Sequence, residues 1–536
     1  MRKILFMSLA AALLASCAGA PQDSVQKADE ISAGEHTRVQ TVYGTYEGYL
    51  DGAVYTFKGI KYADAERFMP PQDPAKFDGV RMAKLYGPKA PQRETLVWSG
   101  DTQRDYTFGN QFIYEPMDEK ECLVLNVWTK GINDGGKRPV FVWIHGGGYA
   151  TGSGHDLDCY EGKALAEKGD IVVVNLNHRL NVLGYTNLSG LGGKYAESVN
   201  LGMQDIVKAL EWVHKNIAKF GGDPACVTIG GQSGGGGKVS TLLAMPSAKG
   251  LFQKAIVQSG STLTQQTGEA AQAFGLEFVK ALGLKPGPDV DFSRFTYDEL
   301  VAASNLAGRT AREKGITGNG GSPCVDGKYL PTNPFNPVAP ECSKDVPMLI
   351  GTDFNEFEFD IRAARYQLSK AEVEAQVKKQ RGEQAGQAFI DGFYKAYPEK
   401  EPKEMLYVDT GFRAGAVQQA ALKSQQGTAK AFLYLFTWAP TNNALGASHG
   451  MELPFMFNNV ANQREMTGST REAYLFEQKV SDAWIAFIKT GDPNCKSIPT
   501  WEPYNAETGP CMILDNEFEL RYNHDKDMLV GSTSRF

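Results

Sequence analysis

Six short apolar runs, rich in β-branched residues, constrain the fold most: residues 140–144, 171–176, 227–229, 254–258, 347–350 and 430–436. Each run is continuous rather than alternating, which suits strands covered on both faces. Between the second and third runs, Ile206, Leu210, Val213 and Ile217 recur at helical spacing, so residues 202–220 are predicted as a helix. Strand, helix, strand in that order implies a parallel crossover and an α/β architecture with a mostly parallel sheet. A second amphipathic helix is predicted over 471–489, with Leu475, Val480, Trp484 and Phe487 among its apolar positions and Gly491-Asp492-Pro493 as its stop. Two long stretches, 261–346 and 360–429, are mostly helical in pattern and interrupt the strands. They either shape a substrate cleft over the strand ends or are packing decoration.

The N-terminus reads differently. Arg2 and Lys3 precede an apolar stretch, residues 4–14, too short to span a bilayer, which reads as a secretory signal. Its end, Leu14-Ala15-Ser16-Cys17, resembles the lipobox of bacterial lipoproteins. That resemblance implies a signal peptide over 1–16, a lipid on Cys17, and a protein anchored in a membrane facing the periplasm or the cell surface. The alternative is plain secretion, with a cut after Ala18-Gly19-Ala20 that Pro21 would awkwardly follow. Residues 17–38 are polar and read as a flexible tether, leaving 39–536 as the folded domain.

The chain has 536 residues, 42% apolar and 22% charged, ample for a large core. A formal net charge of -7 argues against nucleic acid and against a polybasic membrane patch, so a lipid anchor is the only membrane contact expected. There are eight cysteines. Export makes disulfides permissible, and Cys324 with Cys342, and Cys495 with Cys511, are close enough in sequence to close short loops. Cys122, Cys159 and Cys226 have no obvious mate.

The third run leads into the chemistry. Val227-Thr228-Ile229-Gly230-Gly231-Gln232-Ser233-Gly234-Gly235 is a strand passing into G-x-S-x-G. A serine presented on a tight strand-to-helix turn needs small residues two positions to either side, and Gly231 and Gly235 supply them. Four glycines opening a helix, Gly234 to Gly237, cost about 1 kcal/mol each relative to alanine, which is hard to explain unless backbones must pack closely. A second match, Gly446-Ala447-Ser448-His449-Gly450, follows no strand directly, and Pro454 soon blocks helix growth. Context therefore selects Ser233. The run Gly234 to Lys238 lacks the spacing of a phosphate loop.

His145-Gly146-Gly147-Gly148-Tyr149 follows the run 140–144. Glycines at a strand end let backbone N–H groups approach a ligand and stabilise the oxyanion of a tetrahedral intermediate. A serine nucleophile also needs a histidine and a carboxylate to orient it. Of seven histidines, the order nucleophile, acid, histidine leaves His449 and His524. His449 lies in a glycine-flanked loop after the run 430–436 and is favoured, whereas His524 reads as a solvated surface residue. The acid is open among Asp353, Glu356, Glu358 and Asp360.

These residues resemble a known family, the type-B carboxylesterases, which includes bacterial para-nitrobenzyl-type esterases and the cholinesterases. The resemblance runs from about Thr41 to the C-terminal region. It is carried by Glu121-Cys122-Leu123-Val124-Leu125-Asn126-Val127, the HGGGY run, Asn177-His178-Arg179-Leu180, Asn200-Leu201-Gly202-Met203-Gln204-Asp205 and Phe220-Gly221-Gly222-Asp223-Pro224. The Ser233 turn, residues 446–453, residues 491–494 and Trp501-Glu502-Pro503-Tyr504 extend it. The resemblance implies an α/β-hydrolase fold with helical insertions over the active site. It implies a Ser233–Glu356–His449 triad, oxyanion donors at Gly147, Gly148 and Gly234, a small-molecule ester as substrate, and no metal or organic cofactor. The same acyl transfer would serve amides or thioesters, and some relatives are non-catalytic adhesion proteins that lack the serine. Four departures stand out. Gly234 replaces the usual alanine, Gln232 the usual glutamate and Phe357 the usual glycine, while Ala90 occupies the place of the cysteine that normally pairs with Cys122.

Overall fold

A computed structural model describes residues 30–93, 116–360, 363–441 and 445–534. Cys17 and the predicted signal therefore lie outside the described residues. The core is a twelve-stranded sheet: β1 (Ile31–Ser32), β2 (Tyr49–Asp51), β3 (Val54–Lys61), β4 (Val124–Thr129), β5 (Arg138–Ile144), β6 (Val172–Leu176), β7 (Gly222–Gln232), β8 (Lys254–Gln258), β9 (Met348–Asp353), β10 (Ala431–Phe436), β11 (Pro510–Leu514) and β12 (Glu519–Tyr522). Their spatial order is β1-β2-β3-β4-β6-β5-β7-β8-β9-β10-β11-β12. From β6 to β11 every neighbouring pair is parallel, while the N-terminal strands and β12 are antiparallel.

All six apolar runs are strands of the parallel core. Residues of β6, β8, β9 and β10 are buried along their full length, as expected of strands sandwiched by helices. The predicted helices form as α1 (Leu201–Asn216), continued by a short 3-10 turn to Phe220, and α8 (Arg471–Thr490). Thr470 caps the first turn of α8 by accepting from the Ala473 N–H, and Gly491 at φ 80° ends it in the left-handed region that glycine tolerates. Between them lie α2 (Gly234–Leu242), α3 (Gly268–Ala281), α4 (Tyr297–Glu313), α5 (Lys370–Arg381), α6 (Glu383–Ala396) and α7 (Gly411–Ser424). The last five fill the two predicted insertions. α3 and α4 build a core of their own, where Phe274, Phe278, Leu300 and Ala307 pack with Phe68, Leu183 and Leu201.

Strand pairing begins earlier than the sequence suggested: Ile31 and Ser32, inside the stretch read as a tether, pair with Asp51 and Leu50. The two expected disulfides are not formed. The Cys324 thiol is buried beside the Asn187 amide, whereas Cys342 donates to the Leu243 carbonyl at 2.9 Å. Cys511 sits on β11 against the Arg413 guanidinium, whereas Cys495 bonds Ser497 in a loop. Closeness in sequence failed as a guide because each cysteine is held by a different element. His524 is not a surface residue either: its side chain is 7% exposed, edge-on to Tyr397 and beside Asp525.

Candidate active site

The candidate residues gather where the parallel strands end, the place open α/β sheets offer to ligands. β7 stops at Gln232, and Ser233 turns the chain into α2 with φ 57° and ψ -129°. A non-glycine residue there is strained, and the surroundings must hold it. They do so by a bond from the Ser233 N–H to the Gln258 carbonyl at 2.8 Å and by backbone contact. A Cβ on Gly231 would lie 2.5 Å from the Gly235 carbonyl carbon, and one on Gly235 would lie 2.1 Å from the Ile144 carbonyl oxygen. The glycine spacing is thus a packing demand.

The loop after β5 runs beside this turn. A Cβ on Gly146 would stand 3.4 Å from the Ser233 Cβ. Gly147 and Gly148 take φ of 78° and 62°, and the Gly147 carbonyl is turned away to accept from Ala150 and Thr151. Among the described residues the Gly147 and Gly148 N–H groups meet no acceptor. Gly234 touches the same loop: a Cβ there would fall 2.1 Å from the Gly148 carbonyl oxygen. At the base of the loop the fully buried Lys238 donates to the His145 carbonyl at 3.0 Å, and burial pushes its ammonium down to about 7. The His145 and His178 rings stack at 4.9 Å, and burial followed by the Lys238 charge drives both well below the usual imidazole range. Their Nδ1 atoms meet the backbone carbonyls of Gly146 and Arg179, and no carboxylate bonds either ring among the described residues.

His449 is different. Its Nδ1 bonds Glu356 Oε2, while its Nε2 is buried without a hydrogen-bond partner. Glu356, fully buried, receives two further bonds on Oε1, from the Ser259 hydroxyl at 2.7 Å and from the Asp353 N–H at 3.0 Å. The two loops also pair through backbone, the His449 N–H donating to the Glu356 carbonyl at 3.0 Å. Of the four carboxylates left open by the sequence, Glu356 meets the histidine. Asp353 instead accepts from the Gly450 N–H at 2.8 Å, and Glu358 and Asp360 are partly exposed. A Cβ on Gly450 would lie 3.6 Å from Gln232 Nε2, which brings the His449 loop against the residue before Ser233.

Sequence reasoning missed several members. Ser259 follows β8 at φ 45°, and its place beyond a parallel strand was the available signal. Phe357 and Phe412 flank the His449 ring at 4.0 and 5.3 Å between centroids, so the side chain that replaces the family's usual glycine walls the imidazole. Ser448, the serine of the second G-x-S-x-G, is buried; its backbone pairs with Glu356 in the bridge between the two loops, while its hydroxyl meets no partner among the described residues.

The carboxylesterase family model matches residues 35–529. A para-nitrobenzyl esterase of Bacillus subtilis is 32% identical over 92% of this chain and 97% of its own. A phenmedipham hydrolase of Pseudarthrobacter oxydans is 30% identical over 89% of this chain and 94% of its own. Among solved structures, an esterase from Clostridium hathewayi, described as able to hydrolyse aliphatic aromatic polyesters, superposes with a TM-score of 0.85 at 33% identity, covering 94% of this chain and 98% of its own.

Proposed function

Because the chain belongs to the carboxylesterase family, with its α/β-hydrolase fold and carboxylic-ester hydrolase activity, we propose that it works through an acyl-enzyme on Ser233. His449 Nε2 takes the Ser233 proton as the hydroxyl oxygen attacks the ester carbonyl. Glu356 holds the imidazole in the tautomer that leaves Nε2 free, and stabilises the imidazolium. The N–H groups of Gly147, Gly148 and Gly234 receive the oxyanion. The imidazolium then gives its proton to the departing alcohol. Water, activated by the same base, releases the acid and restores Ser233.

The observation that carries this reading is the His449 imidazole, bonded to Glu356 on one side and bare on the other, in a loop that abuts the Ser233 turn. Two unpaired N–H groups on the adjacent loop support it. The test is direct. Ser233→Ala should lower turnover of a para-nitrophenyl ester by about 10⁶-fold and lose the adduct that a fluorophosphonate leaves on the folded wild type. Full activity in that variant would sink the assignment.

Aromatic or polymeric esters are a reasonable substrate class, given the polyester activity of the Clostridium hathewayi relative and the phenylalanines around His449. Matched ester, amide and thioester substrates would rank the bonds cleaved. For location, the proposal is a lipid on Cys17 that anchors the domain to a membrane. Metabolic labelling with an alkynyl fatty acid should mark the wild type and spare Cys17→Ser.

A further inference from the structure

Behind Glu356 lie two carboxyl groups that the proposed reaction does not use. Asp353 ends β9, and Glu452 stands three residues beyond His449; they are 1% and 0% exposed. Among the described residues neither has a lysine or arginine partner. Each has one oxygen in a defined bond. Asp353 Oδ2 accepts from the Gly450 N–H, and Glu452 Oε1 accepts from the Gln258 amide at 2.9 Å, which in turn accepts from the Trp484 indole N–H at 3.3 Å. The remaining oxygens, Asp353 Oδ1 and Glu452 Oε2, are both buried and meet no donor. The two side chains reach one another. Two ionised carboxylates cannot face each other in a dry interior, but one proton between them gives each its missing bond.

We propose that Asp353 and Glu452 hold one proton between them, shared by Asp353 Oδ1 and Glu452 Oε2, and that this pair positions the loop carrying His449. The positioning half rests on the reading of His449 as the base. Gly450 hangs from Asp353, and Glu452 ties the same loop to β8 through Gln258, so the pair grips the backbone just after the imidazole at two points. The other groups facing it are the Glu356 carboxylate, the His449 ring, the Tyr434 hydroxyl from β10, and Tyr160 and Cys159 beside Glu452. None is a fixed cation. Burial, then the Glu452 and Glu356 charges, hold the Asp353 carboxyl well above the usual carboxylate range. Burial also holds the Glu452 carboxyl above that range, so both groups favour retaining the proton between them. The shared proton also spares His449 a third buried negative charge, since the pair then carries one charge rather than two beside Glu356.

Infrared difference spectra test the proton directly, because a protonated carboxylic acid has a carbonyl stretch that an ionised carboxylate lacks. At neutral pH, wild type minus D353N and wild type minus E452Q should each show that one band. In the first variant the acid is gone; in the second the new amide donates to an ionised Asp353. D353N mimics the neutral acid, so it should keep kcat within about threefold. D353A drops Gly450 and should lose about 10²-fold in kcat, with KM nearly unchanged. D353N should also gain stability over wild type as pH rises above about 4, because only the wild type must then retain a proton that its unfolded chain releases. No acid band in either difference spectrum, or a D353N as slow as D353A, would overturn the proposal. The outcomes separate from the reading of the reaction: full turnover by Ser233→Ala defeats that reading whatever the spectra show.

Discussion

Gly234→Ala is the sharpest perturbation the structure offers, because the family usually has alanine at this position. Here the added methyl would fall 2.1 Å from the Gly148 carbonyl oxygen, 2.4 Å from its Cα and 2.5 Å from its carbonyl carbon. Ordinary contact begins near 3.4 Å, so backbone must yield by roughly 1.3 Å. The loop of Gly148 has more freedom to move than α2, which is wedged against Ile144 and Gly260 through Gly235 and Gly236. Displacing an oxyanion donor by an ångström removes most of its bond in the transition state. Loss of one such donor is worth about 2.7–4 kcal/mol, or 10²–10³-fold in kcat. Ground-state binding does not use the oxyanion, so KM should change little. Steady-state kinetics on a para-nitrophenyl ester, with thermal melting to verify folding, would measure both. Wild-type kcat in a folded Gly234→Ala would refute the idea that this glycine and the Gly148 loop are matched.

Three further outcomes follow from the same contacts. Ser259→Ala removes a 2.7 Å bond to the Glu356 carboxylate and should cost about 1.5–3 kcal/mol in kcat/KM or stability, read by kinetics and urea melts. Asp205→Asn breaks the fully buried pair in which Arg179 makes bonds of 2.6 and 2.8 Å, and should destabilise by about 3–5 kcal/mol in a denaturant titration. Burial holds the folded Lys238 ammonium at about 7 against the ordinary lysine value of 10.5, so between those values the folded form has lost a proton that the unfolded chain still binds. Wild-type stability should therefore rise from pH 7 toward 10.5, by up to about 5 kcal/mol, and Lys238→Met should flatten that slope.

Much of this was legible in the chain. Continuous apolar runs exposed the parallel strands, since strands covered on both faces cannot hide in an alternating pattern. Strand context separated Ser233 from Ser448. The flanking antiparallel strands were not found, because Tyr49 to Asp51 and Glu519 to Tyr522 have only partial burial to write into their residues. The acid was ambiguous among neighbours of equal chemistry, and only three dimensions show which one a distant loop meets. Lys238, Ser259 and Glu452 were invisible for a related reason: each acts through a backbone group or side chain far away in sequence. Cysteine spacing misled because proximity along the chain says nothing about which way two thiols face.

The strand ends have a consequence for how such a chain can vary. β5, β7, β8, β9 and β10 lie side by side, and the loops that follow them bring Gly147, Ser233, Ser259, Glu356 and His449. Neighbouring strands in any sheet stand about 4.8 Å apart. Hydrogen-bonded backbone is thus the ruler for the reacting groups, and a ruler does not stretch when the far helices grow, shrink or trade side chains. Selection on new substrates could rework residues 261–346 and 360–429 extensively while the reach from imidazole to hydroxyl stayed where the sheet put it.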